Sequence, residues 1–345
     1  SHTYVWGGDP GVIVPERPVG LLGAVLRREG RAFRVERIYR GDDADRIRSA
    51  LSEPGAMVRE GEYILAINHE PVREGEPLEA MLENRAGQEI LLTVNTRPQD
   101  SGARRVVVRA MTEARERALR YADWVRQNRE YVLRQTGGRI GYVHIPDMGS
   151  RGLREFQTWF HPQLSREGMV VDARWNGGGF VSQLVVSRLL RQILIWDRAR
   201  WGGVYTYPSR VLNGPFVVLT NEHAGSDGDL FAAAIQTAGA APIIGKRSWG
   251  GVVGIRGDKP LQDLGMVTHP EYAWWQSRNG WGLENHGVDP DIVVENLPQD
   301  VGRGVDAQLD RAIQEVLKRH AEKPPQRPVF GPAPDHSREA FRRER

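Results

Sequence analysis

An α/β fold is predicted for this chain of 345 residues, with a mostly parallel sheet covered by helices on both faces. Three observations predict it. Between residues 138 and 322 the apolar runs "RIGYVHI", "GMVVDAR", "PFVVLT" and "PIIG" alternate with helical stretches, and such unbroken apolar strands belong to sheets buried on both sides. Glycine-rich turns at 176–179 and 225–228 join a strand to the following helix. Ahead of that region, residues 19–97 alternate short β-type runs with one helical piece, which marks a separate β-rich domain. The length alone favours two folded units.

The elements follow in order. Residues 1–18 form a Gly/Pro-punctuated lead without the basic and apolar regions of a signal peptide. The missing initiator methionine is expected of a processed product or, more readily, a fragment. Within 19–97 the strands are "GLLGAVL", "FRVERIY", "EYILAIN" and "EILLTVN", and "EPLEAMLEN" is the helical piece. Residues 98–137 read as a linker strand and a helix from about 112 to 135, ended by Gly137 and Gly138. The α/β core occupies 138–322 and closes with an amphipathic helix through Val305, Leu309, Ile313, Val316 and Leu317. The tail 323–345 is Pro-rich, then charged, and is expected to be disordered.

Composition narrows the function. Hydrophobic residues make up 40% and charged residues 26%, as in ordinary globular proteins. Lys and Arg number 47 against 44 Asp and Glu, a net +3 with the signs interspersed, so no nucleic-acid stripe is expected. Cysteine is absent, which excludes disulfides, thiolate catalysis and Cys-ligated zinc; a reducing, cytoplasmic location fits. No apolar run is long enough to span a membrane. No HExxH, Walker loop or GxGxxG after a strand occurs, so no cofactor or metal is expected.

The chemistry concentrates at "NEHAGSDGDLF", where an apolar strand hands over to a helix around Ser226. The serine suits a helix cap. It equally suits a nucleophile at the positive end of the helix, where unpaired N–H groups favour an alkoxide. The Asp227 N–H beside it and the turn "RWNGGGF" could then form an oxyanion hole. A serine nucleophile needs a base, and nine histidines are present. His223, three residues upstream, is the local candidate, though it could equally point away.

Taken together, "VGLLGA" with "EYILAIN", "NGGG", "AGSDGD" and "GLENHGVDPDI" resemble, in that order, the tricorn protease family of the C-terminal-processing (tail-specific) serine peptidase clan. The resemblance spans residues 1–320. It implies a ClpP/crotonase-like spiral core of βαβ units preceded by a PDZ-like domain, with residues 1–18 closing an upstream catalytic subdomain. It also implies a serine endopeptidase acting on cytosolic oligopeptides, a homo-oligomer (a hexamer in the family). The site residues it implies are Ser226 as nucleophile, His2 as general base, and Glu284 acting through the Ser1 hydroxyl. Oxyanion donors would be the N–H groups of Asp227 and Gly179, with Gly178 next. Asp197 corresponds to an acidic residue that would favour Lys or Arg in the substrate. The Ser-Lys branch of the clan would place its lysine at Gly251, leaving Lys246 nearby as an alternative base. A peptide-binding scaffold without catalysis, or an acyl-CoA enzyme on the same spiral, is the other expectation. Without the upstream domains the isolated chain is expected to have little activity.

Overall fold

The computed structural model describes residues 3–8, 11, 17–41, 47–199, 201–256 and 260–332. The chain divides into two compact units at Tyr131/Val132, and the amino-terminal stretch groups with the second.

The smaller unit is built on one antiparallel sheet whose strands lie in the order Ala24–Glu29, Ala32–Ile38, Tyr63–Ile67, Glu89–Asn95, Arg104–Arg109. Alternate residues turn inward, as the two-residue period of a strand requires. Phe33 and Val35, then Ile90, Leu92 and Val94, then Val106 and Val108 meet in one core. Residues 98–137, expected as a linker strand and helix, depart from that reading at their first element. Arg104–Arg109 pairs along its whole length with Glu89–Asn95 and completes this sheet. The cause is the spacing of Val106 and Val108 two residues apart, which gives the strand a buried apolar face of its own. The expected helical piece is short, Leu78–Met81. The long helix Glu113–Gln135 ends as expected: Gly137 and Gly138 take positive φ, and the Gly138 N–H bonds back to the Leu133 carbonyl at 2.7 Å.

The larger unit carries five parallel strands: β1 (Ile140–His144), β2 (Gly168–Asp172), β3 (Phe216–Thr220), β4 (Ile243–Gly245) and β5 (Ile292–Val293). They lie side by side in chain order. The helices that pack on this sheet are α1 (Ser150–Phe160), α2 (Ser182–Leu189), α3 (Asp227–Thr237) and α4 (Ala307–Glu322). Right-handed crossovers between sequential strands put α1, α2 and α3 on one face. There Val143, Val171 and Val218 form a core with Phe156, Val185 and Phe231. The intervening residues Tyr142, Val170 and Val217 are just as buried, and α4 lies along β1 to β4 on that second face. Both faces are therefore dry, which is why these strands carry no polar alternation.

Three small pairings were not anticipated. Val5–Trp6 pairs with Met266–Val267, Ile195–Arg198 with Val204–Tyr207, and Gly254–Arg256 with His269–Tyr272. Of the tail expected to be disordered, residues 333–345 lie outside the described residues, while Gln326 exchanges two backbone hydrogen bonds with the Asn213 side chain. No helix among the described residues is long and apolar enough to cross a membrane.

Candidate active site

Neighbouring strands β2 and β3 end side by side, with Asp172 opposite Leu219. The turns that follow them are consequently adjacent at the carboxyl edge of the sheet, where open α/β sheets hold their ligands. Asn176 fastens one turn to the other. Its Nδ2 donates to the Ile145 carbonyl at 2.8 Å, its Oδ1 accepts the Gly178 N–H at 2.9 Å, and its carbonyl accepts the Gly225 N–H at 2.9 Å. The approach is very close. A Cβ on Gly178 would stand 2.6 Å from that of Ser226 and 3.1 Å from the Asp227 nitrogen.

Ser226 sits at the N-cap position of α3 with φ 56° and ψ −119°, and its side chain makes no capping bond. A non-glycine residue in that region is strained, and such strain concentrates at functional sites. Its hydroxyl has no hydrogen-bond partner among the described residues, so it is left facing outward rather than spent on the helix. Of the two roles open to a serine here, the geometry takes the uncapped one. The Asp227 N–H, like that of Gly179, finds no acceptor among the described residues. The Gly178 N–H is already taken by Asn176, which corrects its reading as a further oxyanion donor. The Asp227 carboxylate faces away and accepts both the backbone N–H and the hydroxyl of Ser182, fixing the start of α2.

One turn into α3 lies a carboxylate that sequence reasoning passed over. Asp229 is fully buried. Its Oδ1 accepts the Gly250 N–H at 2.9 Å, and it lies against the Ser226 backbone N–H and the Ser248 hydroxyl. Burial pushes its carboxyl from an ordinary 3.8 up to about 6, with the Glu284 charge adding to the rise. The readable signal was Ser-x-x-Asp, half of a capping box, in which the carboxylate holds the N-cap backbone. A raised carboxyl stabilises the fold below its unfolded value, and that contribution is lost as pH rises through 6. Between pH 4 and 7 the protein is expected to give up on the order of 3 kcal/mol, a loss that an Asp229→Asn variant escapes. Melting curves of both across that range check this.

Glu284 grips the same segment further along: its Oε2 accepts the N–H groups of Val252 at 2.8 Å and Val253 at 2.7 Å. Residues 248–253 thus bridge the serine turn and the Glu284 turn. The Trp249 N–H reaches the Ala224 carbonyl at 2.9 Å, and the Gly250 carbonyl accepts the Asn285 N–H at 2.7 Å. The Trp249 ring covers Gly251 so closely that a Cβ there would fall 2.3 Å from it. A lysine at 251 therefore has no room without moving the indole.

Ser226, Asp227 and Gly179 open onto a cavity of about 800 Å³. It runs between α2 and α3 along Leu230, Ala233, Ala234 and Thr237 and is walled by Val252–Ile255, Tyr272 and Trp274. The α3 residues share one helix face, and eleven residues make that wall roughly 17 Å long. The lining is mostly apolar.

The other expected residues fall elsewhere. Asp197 is exposed on the hairpin opposite Tyr205 and does not line the cavity. Lys246 is drawn outward by Glu222 at 2.8 Å and Glu295 at 3.1 Å, and these hydrogen bonds raise its pKa, the reverse of what a base needs. His223 is exposed, with its backbone N–H on Asn221 Oδ1. Ser1 and His2 lie outside the described residues. The next residues return to the core unit: Tyr4 exchanges hydrogen bonds with Thr268 at 2.8 and 2.9 Å.

Residues 139–294 match the family model of peptidase family S41, and residues 20–113 match that of the tricorn protease PDZ domain. The chain thus carries a peptidase family S41 domain preceded by a tricorn-type PDZ domain. Its relatives include tricorn protease homolog 1 of Streptomyces coelicolor, 42% identical over 90% of this chain and 29% of that protein. Tricorn protease of Thermoplasma acidophilum is 38% identical over 95% of this chain and 30% of its own length. A crystal structure of tricorn protease superposes with a TM-score of 0.82 at 36% identity, over 92% of this chain and 31% of that one. The family resemblance and the fold expected from the sequence are borne out. The chain spans about three-tenths of these relatives.

Proposed function

We propose that this chain is the catalytic portion of a serine endopeptidase that cleaves oligopeptides through an acyl-enzyme on Ser226. One observation carries the reading: a strained serine keeps its hydroxyl free of the helix beside two open backbone N–H groups at the mouth of an apolar cavity. The Asp227 and Gly179 N–H groups bind the tetrahedral oxyanion, each worth about 3–4 kcal/mol of barrier. His2 takes the Ser226 proton and returns it to the leaving amine, with Glu284 acting through the Ser1 hydroxyl to hold the imidazole tautomer. These last roles rest on the resemblance. They are supported by the hydrogen bonds of Glu284 to Val252 and Val253 of the cavity wall and by the pairing of residues 4–6 with 266–268. The cavity takes an apolar side chain of the substrate. The Asp197 preference for Lys or Arg, a cytoplasmic location and assembly into a homo-hexamer rest on the resemblance alone.

The test is labelling of the full-length protein with a fluorophosphonate and mapping of the adduct by mass spectrometry. A single adduct on Ser226 is expected, and it should be much weaker in the 345-residue chain. A folded full-length protein that takes no label would support the scaffold reading. An adduct that persists after His2→Ala but not after Lys246→Ala would support the Ser-Lys alternative.

A further inference from the structure

The PDZ-like unit has a feature that the peptidase reading leaves unused. PDZ folds seat the carboxylate of a peptide C-terminus on backbone N–H groups of the loop before an edge strand. Here that loop is Gly20–Gly23, ahead of the edge strand Ala24–Glu29. Three of its four donors are occupied from within. The Gly20 N–H donates to the Leu82 carbonyl at 2.8 Å, the Leu21 N–H to the Met111 carbonyl at 2.9 Å, and the Gly23 N–H to Glu116 Oε2 at 3.0 Å. Leu22, which holds the fourth, is 3% exposed.

The Glu116 contact is a built one. The residue is 4% exposed, and its Oε1 is gripped by Arg120 at 2.8 Å through Nε and 2.5 Å through Nη2. Arg120 in turn stacks over the Tyr39 ring at 5.0 Å. Gly23 has φ 72°, and a Cβ there would meet Leu119, Met111 and Ser49 atoms each at 2.9 Å, so the backbone is held close to the helix that carries Glu116. A second carboxylate brought to this loop would find the Gly20, Leu21 and Gly23 N–H groups taken and a like charge already seated.

We propose that Glu116 is the resident carboxylate of the PDZ loop, and that the unit is thereby closed to peptide C-termini. Substrates reach the cavity without being captured by a free end in this domain.

Fluorescence anisotropy on the full chain tests it, in a Ser226→Ala background so that probes are not cleaved. The probes are fluorescein-labelled decapeptides ending in Val, Leu, Phe or Ala, each as free acid and as amide. The protein with Glu116 intact is expected to bind acid and amide within about twofold of each other. Glu116→Ala frees the Gly23 N–H and Arg120 and is expected to prefer the acid by about tenfold or more, the range of one charge-assisted hydrogen bond. Glu116→Gln keeps an acceptor on Gly23 and should behave as the parent. A tenfold acid preference with Glu116 intact would overturn the proposal, as would a folded Glu116→Ala protein with no such preference. If Glu116→Ala does not fold, the protein with Glu116 intact and the Gln variant decide it.

Discussion

Ser226→Ala in the intact protein is expected to lower kcat about 10⁶-fold, and Gly178→Ala, which leaves the hydroxyl in place, about 10²-fold or more. The first removes the atom that forms the acyl bond, and what survives is the contribution of the oxyanion donors and binding. The second tests placement alone. A methyl on Gly178 would sit 2.6 Å from Ser226 Cβ and 2.9 Å from the Gly225 carbonyl. Neither neighbour can yield cheaply. Gly225 is held by the Asn176 carbonyl at 2.9 Å, and its own α-carbon lies under the Trp249 ring. Gly178 also has φ 82°, so alanine adds backbone strain of about 1–2 kcal/mol. The serine turn must shift by a fraction of an ångström or more, which carries the hydroxyl away from the Gly179 and Asp227 N–H groups. Turnover of a good peptide substrate, with melting temperatures to confirm folding, separates the two effects. A Gly178→Ala enzyme with unchanged kcat would show that the two turns do not need this contact.

The two turns were readable because glycine runs after continuous apolar strands leave few alternatives. What joins them was not. Asn176 reads as a turn residue, yet all of its polar side-chain and carbonyl atoms span to Ile145, Gly178 and Gly225. Asp229 reads as a helix-start acid, and its partner Gly250 lies 21 positions away. No local pattern announces such a pair, because it depends on where the 248–253 segment crosses the end of α3. The hairpin through Asp197 escaped for a different reason. Leu194, Ile195, Tyr205 and Tyr207 are exposed, so no buried face imposes a two-residue period on the sequence. Likewise, the uncapped state of Ser226 could not be inferred, since a serine at a helix start ordinarily spends its hydroxyl on the backbone. Its φ was the deciding fact, and φ is set by the surrounding turns.

Asp172→Asn is expected to destabilise the protein by about 3 kcal/mol, near the low end for breaking a buried ion pair, and to lower the melting temperature by roughly 10 °C. Asp172 and Arg174 are both fully buried, joined at 2.7 Å, with the Tyr142 hydroxyl donating to Asp172 at 2.8 Å. Asp306, at the N-cap of α4, and Gln308 complete the shell around the guanidinium at 2.9 and 3.1 Å. With asparagine the Arg174 charge loses its nearest carboxylate, and a desolvated cation pays for the change. Burial works to raise the Asp172 pKa, but the Arg174 charge and hydrogen bonds outweigh it and hold it below the ordinary value. A depressed carboxyl contributes stability above its unfolded pKa, near 4, and loses it as pH falls through the folded value. The gap between wild type and Asp172→Asn should therefore be full at pH 6 to 8 and shrink only below about pH 4. His144, whose Nε2–H donates to the Arg174 carbonyl at 3.0 Å, is kept neutral by burial, which depresses its pKa. Its contribution fades as pH falls below about 6.5 in both proteins. A gap that closes near pH 6 instead would overturn the assignment of the stabilisation to the Asp172 charge. The site should feel the change as well, because Arg174 is the second residue beyond β2 and the Asn176–Gly179 turn departs from it; kcat should fall with stability in Asp172→Asn while labelling of the residual folded protein at Ser226 persists.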